Sequence, residues 1–411
     1  MKSPQLFLEP ASPQTHPSEL RDWGHLPDLL LGEVLQRLVP CLRSLSFFAA
    51  TCRPWRRFLL ASVSTLLLPR IPHLLLNPGY GGRCANYFLV HAWSPLVIRG
   101  TVTSPLAAAA SPSPTLLSSA RGHLILLVRP RGLFVLVDAL TCAERLSLPL
   151  PSPHAPHHYA TLTPNHLVLF RYIMEAIADY LKPCSNHVFA SLPFPPANPG
   201  AAEWTHHRLP RSASFVASVV DFRGRVLGVT DRAQLLEFRC LDAAAPDQEA
   251  AVQILTATGL PEASTFESWH FGPRLVVAGE RLLLLLLMKD PAYRAVVRKV
   301  SVHALHEMPD GTMRWEEVDT LGDYSVFVDC AGRSAIACAD AAGCGDVAGN
   351  CIYFAEMTFY RVDSQRYWRS LKPWWKWEHS TAGAGENKGV TISRAWPSQT
   401  WVYPRLFFQS Y

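Results

Sequence analysis

The sequence predicts a mainly β chain that opens with a small α-helical module, and three observations carry that reading. Apolar residues between positions 22 and 60 recur at helical spacings. From about residue 83 the period shortens to that of strands, in brief apolar runs separated by Gly, Pro, Asp and Asn. Of the 411 residues, 49% are hydrophobic and only 17% charged, so the bulk of the chain can bury a sizeable core.

Residues 1–21 hold Pro and Ser without periodicity and are expected to be a flexible tail. They lack the basic-then-apolar order of a secretory leader, so the protein is expected in the cytosol or nucleus. A helix is expected from Pro27, because a first helical turn tolerates a residue without an amide hydrogen. Leu29, Leu30, Val34, Leu35 and Leu38 are expected on one side, with Asp28, Glu33, Gln36 and Arg37 on the other. Val39-Pro40 ends it, since a residue before proline is pushed out of the α region. Leu45, Phe48, Ala49 and Cys52 then define a second amphipathic helix. Pro54 should kink that helix or start a third one carrying Trp55, Phe58 and Leu59. About forty residues have difficulty covering these side chains alone, so the rest of the molecule or a partner must cover part of them.

A Leu-Pro start, an apolar helix and a Cys-x-x-Trp ending make residues 22–65 resemble an F-box. The resemblance rests on Leu26, Pro27, Leu29, Leu30, Val34, Leu38, Phe48, Cys52 and Trp55. It implies that these residues bind the Skp-type adaptor of a cullin-RING ubiquitin ligase. Two positions depart from the family pattern: Thr51, where valine is usual, and Pro54 between Cys52 and Trp55.

Residues 66–82 mix prolines with leucines and are expected to dock the helical module onto the remainder. Residues 83–411 carry the strand series, from NYFLVHAW and PLVIRGTV through HLILLV, LFVLVD, HLVLF, SFVASVVDF, RVLGVT, LLEFRC, RLVVAG and RLLLLLLM to SVFVD, CIYFAE and WVYP. The segment YIMEAIADYL (172–181) is compatible with a helix. Residues 120–149, 219–242 and 273–290 echo one another as hairpins. At about 40 to 50 residues per blade, this length corresponds to six to eight blades of a β-propeller, with a large sandwich or two barrels as alternatives.

RWEEVDTLGDYSVFVD (314–329) and GNCIYFAE (349–356) resemble the signature of the plant F-box family whose C-terminal half is a KIB-type β-propeller. Trp315, Val318, Leu321, Gly322, Asp323, Phe327, Asn350, Ile352, Tyr353 and Phe354 carry the match. LPRIPHLLL and the C-terminal WPSQTWVYP are similar to that domain's opening and closing segments. The resemblance implies a substrate adaptor whose propeller binds a target protein for ubiquitination; the alternatives are a non-ligase protein-interaction scaffold or a propeller that binds a small molecule.

Net charge is +5, from 38 Lys+Arg against 33 Asp+Glu, too small for a field that would gather nucleic acid or an anionic membrane. No apolar run is long enough to span a bilayer; Leu282–Met288 is closed by Arg281 and Lys289. The ten cysteines are expected to be thiols, and Cys330, Cys338, Cys344 and Cys351 lack the paired spacing of a zinc site. His154, His157 and His158 sit among prolines and are expected in a solvated loop. No nucleophile elbow, phosphate loop or metalloprotease motif appears, so neither a catalytic site nor a cofactor is expected. RYWRSLKPWWKWEH (366–379) interleaves cations with Trp368, Trp374, Trp375 and Trp377, a pattern suited to target recognition.

Overall fold

A computed structural model describes residues 23–38, 42–62, 73–76, 86–90, 97–101, 114–128, 131–139, 144–151, 157–171, 174–177, 180–183, 188–196, 203–239, 241, 251–261, 270–289, 296–328, 335–338, 349–354, 358–361, 366–369, 386–387, 390–391 and 399–402. Three helices come first: α1 (Asp28–Leu38), α2 (Leu42–Thr51) and α3 (Arg53–Ser62), preceded by a 3-10 turn at Trp23–His25. The Pro27 carbonyl accepts the amides of Leu30 and Leu31, which starts α1 where proline's geometry allows. The Cys52 carbonyl accepts the Arg56 amide, so α3 restarts with Pro54 in its first turn, as expected. None of the described helices is long and apolar enough to cross a membrane.

Every remaining element among the described residues is a strand, and five sheets are built from consecutive stretches of chain. Blade 1 takes strands from Thr115–Ala120, His123–Val128, Leu133–Asp138 and Glu144–Pro149. Blade 2 takes His157–Leu162, His166–Arg171, Val188–Pro193 and Thr205–Arg208. Blade 3 takes Val216–Phe222, Arg225–Thr230, Leu235–Phe238 and Val252–Leu255. Blade 4 is ordered Ala257–Thr258, Met313–Glu317, Val296–Glu307, Arg281–Lys289, His270–Ala278, with Val390–Thr391 added beside its long strand. Blade 5 is ordered Ala335–Cys338, Ser325–Val328, Cys351–Phe354, Thr358–Arg361, Arg366–Arg369, Glu386–Asn387. A further four-stranded sheet joins Val97–Thr101, Asn86–Val90 and His73–Leu76 to Gln399–Val402 from the other end of the chain.

The expected six to eight blades are corrected to five, because blades here consume more chain than assumed. Blade 4 has strands of nine, nine and twelve residues. Blade 2 carries an inserted hairpin, Met174–Ile177 with Tyr180–Pro183, where a helix was compatible with the sequence. That segment is two short antiparallel strands.

The core lies between blades, and strand alternation explains it. In the run Leu282–Leu287 every side chain is buried. Leu282, Leu284 and Leu286 pack toward blade 3 with Leu227 and Leu235, while Leu283, Leu285 and Leu287 pack toward blade 5 with Val326 and Phe354. A strand covered on both faces needs no polar alternation, so the sequence reads as continuous leucine. Blade 1 repeats the arrangement: Ile125 and Leu127 face blade 2, whereas Leu124 and Leu126 belong to the cluster that includes the helices. Aromatic rings fill the blade 2–blade 3 boundary, where Phe170 lies 5.5 Å from Phe189 and 5.9 Å from Phe238.

The internal echo also has a structural meaning. Arg121-Gly122 and Arg223-Gly224 are two-residue hairpin turns between paired Ala120/His123 and Phe222/Arg225, and all four turn residues have positive φ. That backbone matches the strand twist and favours glycine at the second position. The repeated Arg-Gly is thus the imprint of one turn type used in two blades.

Candidate docking surfaces

In α1, Leu31 and Leu35 form the buried face, with Val34 and Leu38 half-buried beside them. This corrects the expected stripe: Leu29 and Leu30 lie on the outer side, 77% and 45% exposed. At 100° per residue Leu29 falls with Glu33, not with Leu35. In α2, Phe48 is buried and Phe47 is 65% exposed; the side chain of Leu45 lies outside those described.

Trp55 proves to be an internal brace. Its ring lies 4.6 Å from that of Phe48, and its Nε1 donates to the Trp23 carbonyl at 2.8 Å. The contact fixes the entering 3-10 turn against α3 and leaves the Trp23 side chain 61% exposed. Thr51 is exposed and its hydroxyl donates to the Phe47 carbonyl at 3.0 Å, so the departure from valine is satisfied within its own helix. Of the nine residues expected at the adaptor surface, Pro27, Leu29 and Leu30 are exposed. Leu26, Val34, Leu38, Cys52 and Trp55 are half-buried, and Phe48 is buried. Trp23 and Phe47 were missed by the sequence reading, since neither lies on an apolar stripe.

Trp23, Leu29, Leu30 and Phe47 are four of the five large hydrophobic side chains most exposed among the described residues; the fifth is Met308. Their inner neighbours Leu31, Leu35, Phe48, Ala49 and Leu59 belong to one apolar cluster with Leu116, Leu124, Leu126, Val135 and Val137 of blade 1. The helical unit is therefore two-sided. One face is buried and the other offers apolar area to solvent.

On the β-rich part, Trp368 lies in the strand Arg366–Arg369, whose side chains are outside those described. Trp374, Trp375 and Trp377, and His154, lie outside the described residues. His157 and His158 are corrected from a loop to the first strand of blade 2, where His157 is buried. Cys338 and Cys351 are buried thiols in blade 5; Cys330 and Cys344 lie outside the described residues. Among the described residues no group of three His, Cys, Asp or Glu is placed to hold a metal.

The motif at 314–356 joins blade 4 to blade 5. Trp315 is buried under the blade 3–blade 4 boundary, and its backbone carbonyl fills the place a Cβ on Gly259 would take, a residue that also has φ +92°. Leu321 is fully buried; its amide donates to Asn350 Oδ1 at 2.8 Å, and its carbonyl accepts from Arg281 Nη2 at 2.8 Å. Asn350 has φ +59°, a conformation Asn tolerates better than most residues. From there Cys351–Phe354 runs parallel to Ser325–Val328, which stacks Phe327 on Tyr353 at 5.1 Å.

A cleft of about 300 Å³ lies at the turn end of blades 2 and 3. Thr163, Pro164, Asn165 and His166 form one wall. Asp221, Gly224, Arg225, Val226, Glu237, Phe238, Arg239 and Leu241 form the rest. Glu237 Oε1 accepts Arg225 Nε at 2.7 Å and Oε2 accepts Arg239 Nε at 2.8 Å. The hydrogen bond from Arg225, reinforced by Arg239 against the cost of burial, holds the Glu237 carboxyl below its ordinary range. Beside the cleft, buried Ser191 donates to the Leu241 carbonyl at 2.6 Å and accepts from His207 Nε2 at 2.7 Å, tying blade 2 to blade 3. Burial first, and then His206, push the His207 pKa down.

No curated protein matches the sequence. Solved structures with similar coordinates include an apocarotenoid oxygenase variant from Synechocystis, 13% identical, covering 81% of this chain and 74% of that one at a TM-score of 0.37. The Cps50 (Swd1) β-propeller domain of Myceliophteria thermophila is 11% identical, covering 78% and 88% at a TM-score of 0.32. Hydrazine synthase of Kuenenia stuttgartiensis is 10% identical, covering 70% and 74% at a TM-score of 0.33. At these values the likenesses define neither activity nor ligand. The model of the KIB1-4 beta-propeller matches residues 99–383, and with the blades described above this chain belongs to that family.

Proposed function

We propose that this chain is the substrate-recognition subunit of a Skp-cullin-F-box type ubiquitin ligase, acting in the cytosol or nucleus. The helical unit binds the Skp-type adaptor and the propeller binds the target protein. The observation that carries the reading is the concentration of Trp23, Leu29, Leu30 and Phe47 on the outer side of a unit whose inner side is already buried. Apolar area of that kind, on a segment with an F-box-like pattern, suits a protein interface. The family fold supplies a rigid propeller, a scaffold suited to presenting a target. The mechanism is proximity: the chain makes no bond itself and raises the target's effective concentration near the charged ubiquitin carrier.

The test is co-purification of the full chain with a Skp-type adaptor. Leu29→Asp with Leu30→Asp is expected to abolish capture, since both side chains are exposed and their loss leaves the buried face intact. Undiminished capture by this variant, or none by the unaltered chain, would overturn the adaptor assignment.

A further inference from the structure

The third helix of the N-terminal unit carries charges that work against it. Arg53, Arg56 and Arg57 stand within the first five residues of α3, which holds no acidic residue. Cations at a helix start oppose its dipole, and like charges three and four residues apart repel. Among the described residues none of the three is in an ion pair, and Arg53 and Arg57 make no side-chain hydrogen bond. Arg56 Nε donates to the Ala49 carbonyl at 3.2 Å, which ties α3 to α2 and leaves the Nη nitrogens without a partner among the described residues. A local cost with no compensation in the chain points to a compensating group outside it.

The arginines share one side of the helix. At 100° per residue they fall in a single arc, about 60° to 160° round the axis from buried Leu59, with Trp55 and Phe58 on the other side of Leu59. All three are exposed. Residues 23–62 hold five arginines against Asp28 and Glu33, so a net +3 of the chain's +5 lies in this unit. Both acids belong to α1, and α3 has none. The same helix also supports an apolar contact, because Trp55 donates to the Trp23 carbonyl and keeps the exposed Trp23 beside it. Cations near apolar anchors suit the rim of a protein interface. A nucleic acid calls for a broader basic field than a chain of net +5 supplies.

We infer that Arg53, Arg56 and Arg57 form a second part of the adaptor surface and take an acidic segment of the Skp-type adaptor, its carboxylates accepting from the guanidinium groups. The inference rests on the reading of the helical unit as adaptor-binding and adds to it the charge of the partner. Apolar side chains hold the complex together, and the arginine arc speeds encounter and sets orientation.

The test uses the full chain and a purified Skp-type adaptor, with association and dissociation followed by biolayer interferometry at about 50 mM and about 500 mM NaCl. Arg53→Glu with Arg57→Glu is expected to slow association about tenfold at low salt, with the gap narrowing at high salt. The same variant should melt slightly higher than the unaltered chain, since an acid replaces a cation in the first turn of α3. Arg208→Glu with Arg211→Glu makes an equal charge reversal at exposed positions of blade 2 and the segment after it, and should change the association rate less than about twofold. Unchanged association of the α3 variant, or an equal loss in the blade 2 variant, would overturn the inference while leaving the adaptor reading in place. A lower melting temperature of the α3 variant would show that the arginines serve the chain's own fold, and would overturn it too. No capture of the adaptor by the unaltered chain would overturn both. Tighter binding to a labelled DNA duplex than to the adaptor, lost in the α3 variant, would overturn the assignment to a protein partner.

Discussion

Two buried ionisable residues give the propeller a pH dependence whose sign follows from their surroundings. His207 has its pKa pushed down from 6.5, chiefly by burial and then by His206. Below that value the unfolded chain takes up a proton that the folded chain refuses, so stability is lost as pH falls through 6.5 toward the folded pKa. Melts of His207→Gln should therefore be flatter than those of the unaltered chain between about pH 7 and about pH 5. Glu237 has its pKa lowered from 4.5 by the hydrogen bond of Arg225, so its contribution is present above that value and disappears as pH falls through the folded pKa. Glu237→Gln should melt lower than the unaltered chain at neutral pH, with the gap closing in acid below about pH 4. Gly259 makes a third residue-scale case. A methyl group there would overlap the Trp315 carbonyl in a backbone conformation that L-residues rarely adopt. Gly259→Ala is expected to cost more than about 2 kcal/mol by chemical denaturation.

Among elements, the three helices show how a pattern can be right about existence and wrong about direction. Their starts at Pro27 and at Cys52-Arg53-Pro54 follow from proline chemistry and were legible in the sequence. Which leucines of α1 face inward was not, because LLL at 29–31 allows neighbouring faces and only the packed cluster selects Leu31 and Leu35. The same selection separates the F-box-like residues into two kinds. Trp55→Ala should lower the melting temperature, through the lost Phe48 contact and the lost Trp23 hydrogen bond, by about 2 to 4 kcal/mol in stability. Leu30→Ala should leave stability within about 0.5 kcal/mol and weaken adaptor capture by about 1 to 3 kcal/mol. Melting and adaptor titration of the two variants side by side separate the roles. At the junction of blades 4 and 5, Asn350→Ala removes both the bond to Leu321 and a residue suited to positive φ. A loss of about 1 to 3 kcal/mol is expected in denaturant melts.

For the whole molecule, the join between the chain's two ends matters most. Gln399–Val402 pairs with His73–Leu76 through four residues, which brings the last strand beside the first. Ending the chain at 398 should expose the edges of that sheet and lower the melting temperature, with increased aggregation measured by light scattering. Retention of the full melting temperature by the shortened chain would show that the ring holds without this join. Within the ring, strands such as HLILLV and RLLLLLLM were legible because burial on both faces demands apolar residues at every position. The edge strand of blade 2, Thr205–Arg208, was not legible, since exposure lets polar residues in.

By itself the sequence determined the class of each part: a helical unit punctuated by Pro27 and Pro54, then a β-rich chain with repeated Arg-Gly turns and the 314–356 family motif. These are local properties, governed by backbone conformation and by the period at which apolar residues recur. The tertiary structure alone decided the five blades, the inward faces of the helices and the bridging of Arg225 and Arg239 by Glu237. Those depend on which distant segments lie side by side, and the energy that selects them is burial and charge pairing between residues the sequence keeps apart.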